Sequence, residues 1–119
     1  MILAVVDDLM FTSKIKTTAT QLGIPVAFAR SSPGALEAMH RETPSLVIFD
    51  LNSARTDALA TVAAMKAETA LASVPTIAFV SHVQTDLIDA ARAAGIGEVL
   101  ARSAFTTRLP DILASASTL

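Results

Sequence analysis

Short apolar runs alternate along this chain with longer stretches whose apolar positions recur at helical spacing. Five runs stand out: Ile2–Val6, Val26–Ala29, Leu46–Phe49, Thr76–Val80 and Glu98–Ala101. Runs of Val, Ile, Leu and Phe this short, bounded by polar residues, predict strands buried on both faces. Between them lie the helices. Thr12 or Ser13 is positioned to cap the first, which runs to Gln21-Leu22, and Gly23 supplies a left-handed stop ahead of Pro25. Ser32 with Pro33 in the first turn opens the second, which carries Leu36 and Met39 and ends at Thr43-Pro44. The third runs from Asp57 or Ala58 to near Ala70, with Leu59, Val62, Ala63 and Met65 at helical spacing, and Val74-Pro75 closes it. Gln84 to Ala94 forms the fourth, with Leu87, Ile88 and Ala91 on one face and Gly95 as its stop. Thr106 or Thr107 to Ser115 makes the last.

Strands alternating with helices of this length require a parallel sheet with right-handed crossovers and helices on both faces. Five βα units suit the doubly wound, flavodoxin-like strand order 2-1-3-4-5, in which the first and third strands are neighbours at the topological switch point. The expected architecture is therefore α/β, with residues 1–119 forming one domain, a length that builds a single three-layer core.

That order gives the acids their meaning. Asp7 and Asp8 follow the first strand and Asp50 follows the third, so three carboxylates are expected to meet at the sheet edge where α/β folds bind ligands. Crowded carboxylates repel unless a cation neutralises them, and Mg²⁺ held by one or two carboxylates plus phosphate oxygens is a common solution. Ser81 and Arg102, ending the fourth and fifth strands, fall on the same rim. The pattern points to a metal-assisted phosphate site.

Composition narrows the classes. The chain is 52% hydrophobic with a net charge of -2, which argues against a basic nucleic-acid-binding surface. It contains no cysteine, so disulfide scaffolds, thiolate metal sites and cysteine nucleophiles are excluded. Two aspartates interrupt the first apolar run, and no stretch approaches the roughly 18 apolar residues that span a bilayer, so neither a secretory signal nor a membrane partner is expected. A reducing cytoplasm fits. Much of the apolar content is alanine, which leaves mildly apolar helix faces that a homodimer or a docked domain would cover.

Over nearly its whole length the chain resembles the receiver domains of two-component response regulators, the CheY-like superfamily. The resemblance rests on Val5-Val6-Asp7-Asp8, Leu46-Val-Ile-Phe-Asp50, the hydroxyl residue Ser81 ending the fourth strand, and Ala91-Arg-Ala-Ala-Gly95 before the fifth. It implies that Asp50 accepts a phosphoryl group from the phosphohistidine of a histidine kinase or phosphotransfer protein, and that the state passes to a downstream protein. It implies Mg²⁺ as cofactor, with Asp8 a direct ligand, Asp7 acting partly through water, and Asp50 and the backbone carbonyl of Asn52 completing the set. Ser81 would hydrogen-bond the phosphoryl group, and Arg102 would stand where the family has a lysine.

Several positions depart from the pattern. Arg102 presents a planar fork in place of a compact ammonium, and Ser103 replaces the proline that usually follows a cis peptide. His82 stands where the family prefers a very small residue, and Val99 where it has an aromatic switch. Ser53-Ala54 replaces a Met-Pro pair, and Asp57-Ala58 an acidic-Gly pair. Asn52 and Val83 occupy the two positions that set phosphoryl lifetime, and an apolar Val83 implies slow self-dephosphorylation. Two readings follow: a phosphoryl-accepting receiver, and a degenerate receiver in which Arg102 permanently bridges the acids and the domain serves as an interaction module. An aspartate-nucleophile phosphatase of the haloacid-dehalogenase type is disfavoured, because it needs one residue between its two aspartates and Asp7-Asp8 are adjacent.

Overall fold

The computed structural model describes residues 1–81 and 84–117. Alternating strands and helices follow one another as β1 (Ile2–Val5), α1 (Leu9–Leu22), β2 (Val26–Ala29), α2 (Ser32–Arg41), β3 (Leu46–Asp50), α3 (Ala58–Ala67), β4 (Thr76–Val80), α4 (Thr85–Ala94), β5 (Glu98–Ala101) and α5 (Arg102–Ser117). The strands form one parallel sheet in the order β2-β1-β3-β4-β5, as the sequence predicts.

Side-chain alternation divides the core. Successive residues of a strand point to opposite faces, so Leu3, Val5, Val47, Phe49, Ala78 and Val80 pack with Met39 of α2, Val62 and Met65 of α3 and Ala91 of α4. Ile2, Ala4, Leu46, Ile48, Ile77 and Phe79 face the other way, against Phe11 and Ile15 of α1 and Phe105, Leu109 and Leu113 of α5. The three central strands are buried on both faces, which explains their uninterrupted apolar sequences. On the α1/α5 side three rings form a cluster, with Phe79 4.3 Å from Phe11 and 4.9 Å from Phe105 between ring centroids.

Helix termini differ from expectation in four places. The cap of α1 is Asp8, not Thr12 or Ser13: its Oδ1 accepts the N–H groups of Met10 at 2.9 Å and Phe11 at 3.1 Å. A carboxylate two and three residues ahead of orphan N–H groups is the stronger cap, and it starts the helix early enough to bury Phe11. The cap of α2 is Ser31, one residue before the expected Ser32, with Oγ accepting from Gly34 N–H at 3.2 Å. Helix α3 stops at Ala67, short of Ala70, because Glu68 leaves helical geometry and its carbonyl instead takes the turn N–H groups of Leu71 and Ala72. Helix α5 begins at Arg102, well before Thr106. A proline at 103 would have barred helical geometry from residue 102, and Ser103 lifts that bar. No cis peptide bond occurs among the described residues.

The predicted left-handed stops are present: Gly23 at φ 69° and Gly95 at φ 106° each donate an N–H back into the preceding helix. No helix among the described residues is long and apolar enough to cross a membrane. Phe79 touches both neighbouring rings and is 1% exposed, so Phe79→Ala is expected to lower stability by about 3–5 kcal/mol, read as a drop in the urea midpoint at unchanged slope.

Candidate functional site

The sheet register fixes which residues share the C-terminal rim. Val5 lies opposite Phe49, Asp50 opposite Phe79, and Val80 opposite Ala101. Asp7-Asp8, Asp50, Ser81 and Arg102 therefore leave the sheet at one edge, as expected from the switch-point topology.

Asp50 is the buried member, 7% exposed. Its Oδ1 accepts the N–H of Asn52 at 2.9 Å. Burial raises its pKa above the ordinary aspartate value; the Asn52 N–H and the Arg102 charge pull it down, and Asp8 and Asp7 push it up. Asp50 thus lies in the field of the other two acids. Asn52 also fastens β3 to β4, because its side-chain oxygen accepts the N–H of Ser81.

Arg102 is the hub. Its Nη2 lies 3.5 Å from Asp8 Oδ2, its Nη1 donates to Ser81 Oγ at 3.4 Å, and its guanidinium sits 4.5 Å from the centroid of the Phe11 ring. A flat, delocalised cation makes all three contacts at once, which a lysine ammonium does not. Asp7 is held separately: its Oδ1 is 3.3 Å from Arg30 Nε at the end of β2 and 3.6 Å from Arg55 Nη1 in the loop before α3. Arg30, Arg55 and Phe11 join the site without having been expected there from sequence. The available signal was topological, since Arg30 directly follows β2 and so belongs to the same rim.

Oxygen donors of this kind suit a hard cation. As arranged, however, these acids do not present a ligand set. One oxygen of Asp8 caps α1 and the other faces Arg102, while Asp7 faces two arginines. Among the described residues no group of three His, Cys, Asp or Glu side chains is disposed to hold a metal ion. His82, expected where the family prefers a very small residue, and Val83, expected to slow self-dephosphorylation, lie outside the described residues. Val99, expected to stand where the family has an aromatic switch, packs against the core on the α2/α3/α4 side. A cleft of about 560 Å³ beside Arg102 is lined by Val80, Ser81, Ala101, Ser103 and Thr106. Another of about 490 Å³ lies at the opposite edge of the sheet, between its strand starts and α5, away from these acids.

Solved structures share this architecture. A response regulator from Hahella chejuensis superposes with a TM-score of 0.87 at 20% identity, covering 99% of this chain and 95% of the other. The chemotaxis response regulator CheY4 of Vibrio cholerae gives 0.82 at 18%, covering 97% and 96%. The chain has the receiver fold. The Mn²⁺-bound form of response regulator Rcp1 also matches, with a TM-score of 0.76 at 17% identity over 93% of this chain and 89% of that one. No protein-family model and no curated protein matches the sequence.

The Asp50 shift has a stability consequence. A carboxyl whose folded pKa is raised favours the fold while protonated, and that advantage is lost as pH rises through the folded value. Asp50→Asn keeps an acceptor for the Asn52 N–H but cannot ionise. It is expected to raise the melting temperature at neutral pH, with the gain shrinking below about pH 4, and equal melting at neutral pH would contradict the shift.

Proposed function

We propose that the chain is a phosphoryl-accepting signalling domain of the receiver type, with Asp50 as acceptor. The observation that carries the reading is the setting of Asp50: a buried carboxylate at the end of β3, steadied by one backbone N–H and lying in the field of Arg102. One oxygen is oriented by Asn52 and the other is the nucleophile. The donor is the phosphohistidine of a kinase or phosphotransfer protein. Its N–P bond breaks as the Asp50 O–P bond forms, and the electron pair returns to the imidazole nitrogen. The transition state spreads negative charge over the phosphoryl oxygens, where positioning and electrostatic compensation supply most of the catalysis. Arg102 supplies a cation there, and the Ser81 hydroxyl, already bonded to Arg102, is the neutral donor on the same side.

Both donor and acceptor belong in the cytoplasm on this reading. Output is through protein contacts, to a downstream partner or to a second copy of the chain. Incubation with acetyl phosphate in millimolar Mg²⁺ is expected to add one phosphoryl group to the intact mass of the protein, and none to Asp50→Asn. An unmodified wild type under these conditions would contradict acceptance at Asp50.

A second reading has its own support. With Arg102 on Asp8 and Ser81, and Arg30 and Arg55 on Asp7, the acids are charge-compensated without any ligand. A pocket satisfied in this way suits a phosphorylation-independent interaction module, and absence of the adduct would favour it.

A further inference from the structure

The rim brings three carboxylates together with three guanidinium groups, so its formal charge balances within the chain itself. We infer that Arg102 does the charge-neutralising work a divalent ion would do among these acids, and that the pocket is assembled and stable without metal. The inference concerns the same rim as the proposed acceptor but does not require Asp50 to be phosphorylated.

Arg102 is held from several directions. Its backbone begins α5 immediately after β5, so only the sheet edge and one helix start set where its side chain originates. Its guanidinium stacks over Phe11, a 3% exposed ring of the aromatic cluster, and donates to Ser81. Asp8, its ionic partner, is fixed independently, since Oδ1 is committed to two N–H groups of α1. An incoming cation at Asp8 must displace the guanidinium from Oδ2 or release the helix cap, and until it does so it meets like charge at close range. Asp7 offers no easier entry, with Arg30 and Arg55 both on its Oδ1. Each arrangement lowers affinity for a divalent ion without leaving the acids uncompensated.

The test is a Mg²⁺ titration followed by thermal melting and calorimetry on the intact chain, with wild type, Arg102→Met and Arg102→Met/Asp8→Asn. A ligand that binds only the folded state raises the melting temperature by mass action, so melting reports binding directly. The wild type is expected to melt at the same temperature with and without millimolar Mg²⁺. Arg102→Met is expected to melt lower in chelator, to gain stability as Mg²⁺ is added, and to bind the ion at least about ten-fold more tightly than wild type. The double variant should lose that gain. A wild type stabilised by Mg²⁺, or a folded Arg102→Met that ignores the ion, overturns the inference. Should Arg102→Met fail to fold, Arg102→Gln takes its place under the same outcomes. The acetyl phosphate experiment, run in Mg²⁺, reads Asp50 acceptance separately, so either claim can fail alone.

Discussion

Parallel pairing of β1 with β3 leaves Asp7-Asp8 and Asp50 emerging one strand apart at the same sheet edge. Burial raises the pKa of Asp50, and the charges of Asp8 and Asp7 push it further up. The fold must therefore supply positive charge at this edge. It does so from three separate elements: Arg30 after β2, Arg55 before α3 and Arg102 at the start of α5. Surface ion pairs are weak taken singly, and Arg30, Arg55 and Arg102 are all partly exposed. Together they offset the charge of the acids that converge at this edge.

Arg102 differs from the other two in what lies beneath it. Through Phe11 it touches the ring cluster completed by Phe79 and Phe105, which joins β4, α1 and α5 in the core. Through Asp8 it touches the cap that starts α1. The rim is thus mechanically continuous with one of the two core layers. On the other layer, Val99 fills the position where an aromatic residue was expected, and it is simply packed against the core. Arg102, whose charge lowers the Asp50 pKa, is anchored on the α1/α5 side.

The strands were legible because burial on both faces writes uninterrupted apolar runs, and Gly23 and Gly95 punctuated two helices without ambiguity. The acids, Ser81 and Arg102 could be placed on one rim from topology alone. Helix starts were harder, and one of the misplacements touches the site. Thr12 or Ser13 was expected to cap α1, a role that the site carboxylate Asp8 takes instead. The early start of α5 turned on what Ser103 is not, namely a proline. Arg30 and Arg55 were missed because a surface arginine in a loop carries no periodicity. Only the fold reveals that both face Asp7.

Asp50, Asp8 and Arg102 share one electrostatic environment. Its most direct test is the titration of the Asp50 side-chain carboxyl, followed by carbon NMR in wild type, Arg102→Met and Asp8→Asn. Loss of the guanidinium should move the Asp50 midpoint up, and loss of the Asp8 charge should move it down. An Asp50 midpoint unchanged in both variants would mean that these groups do not meet, and the site built on their convergence would have to be abandoned.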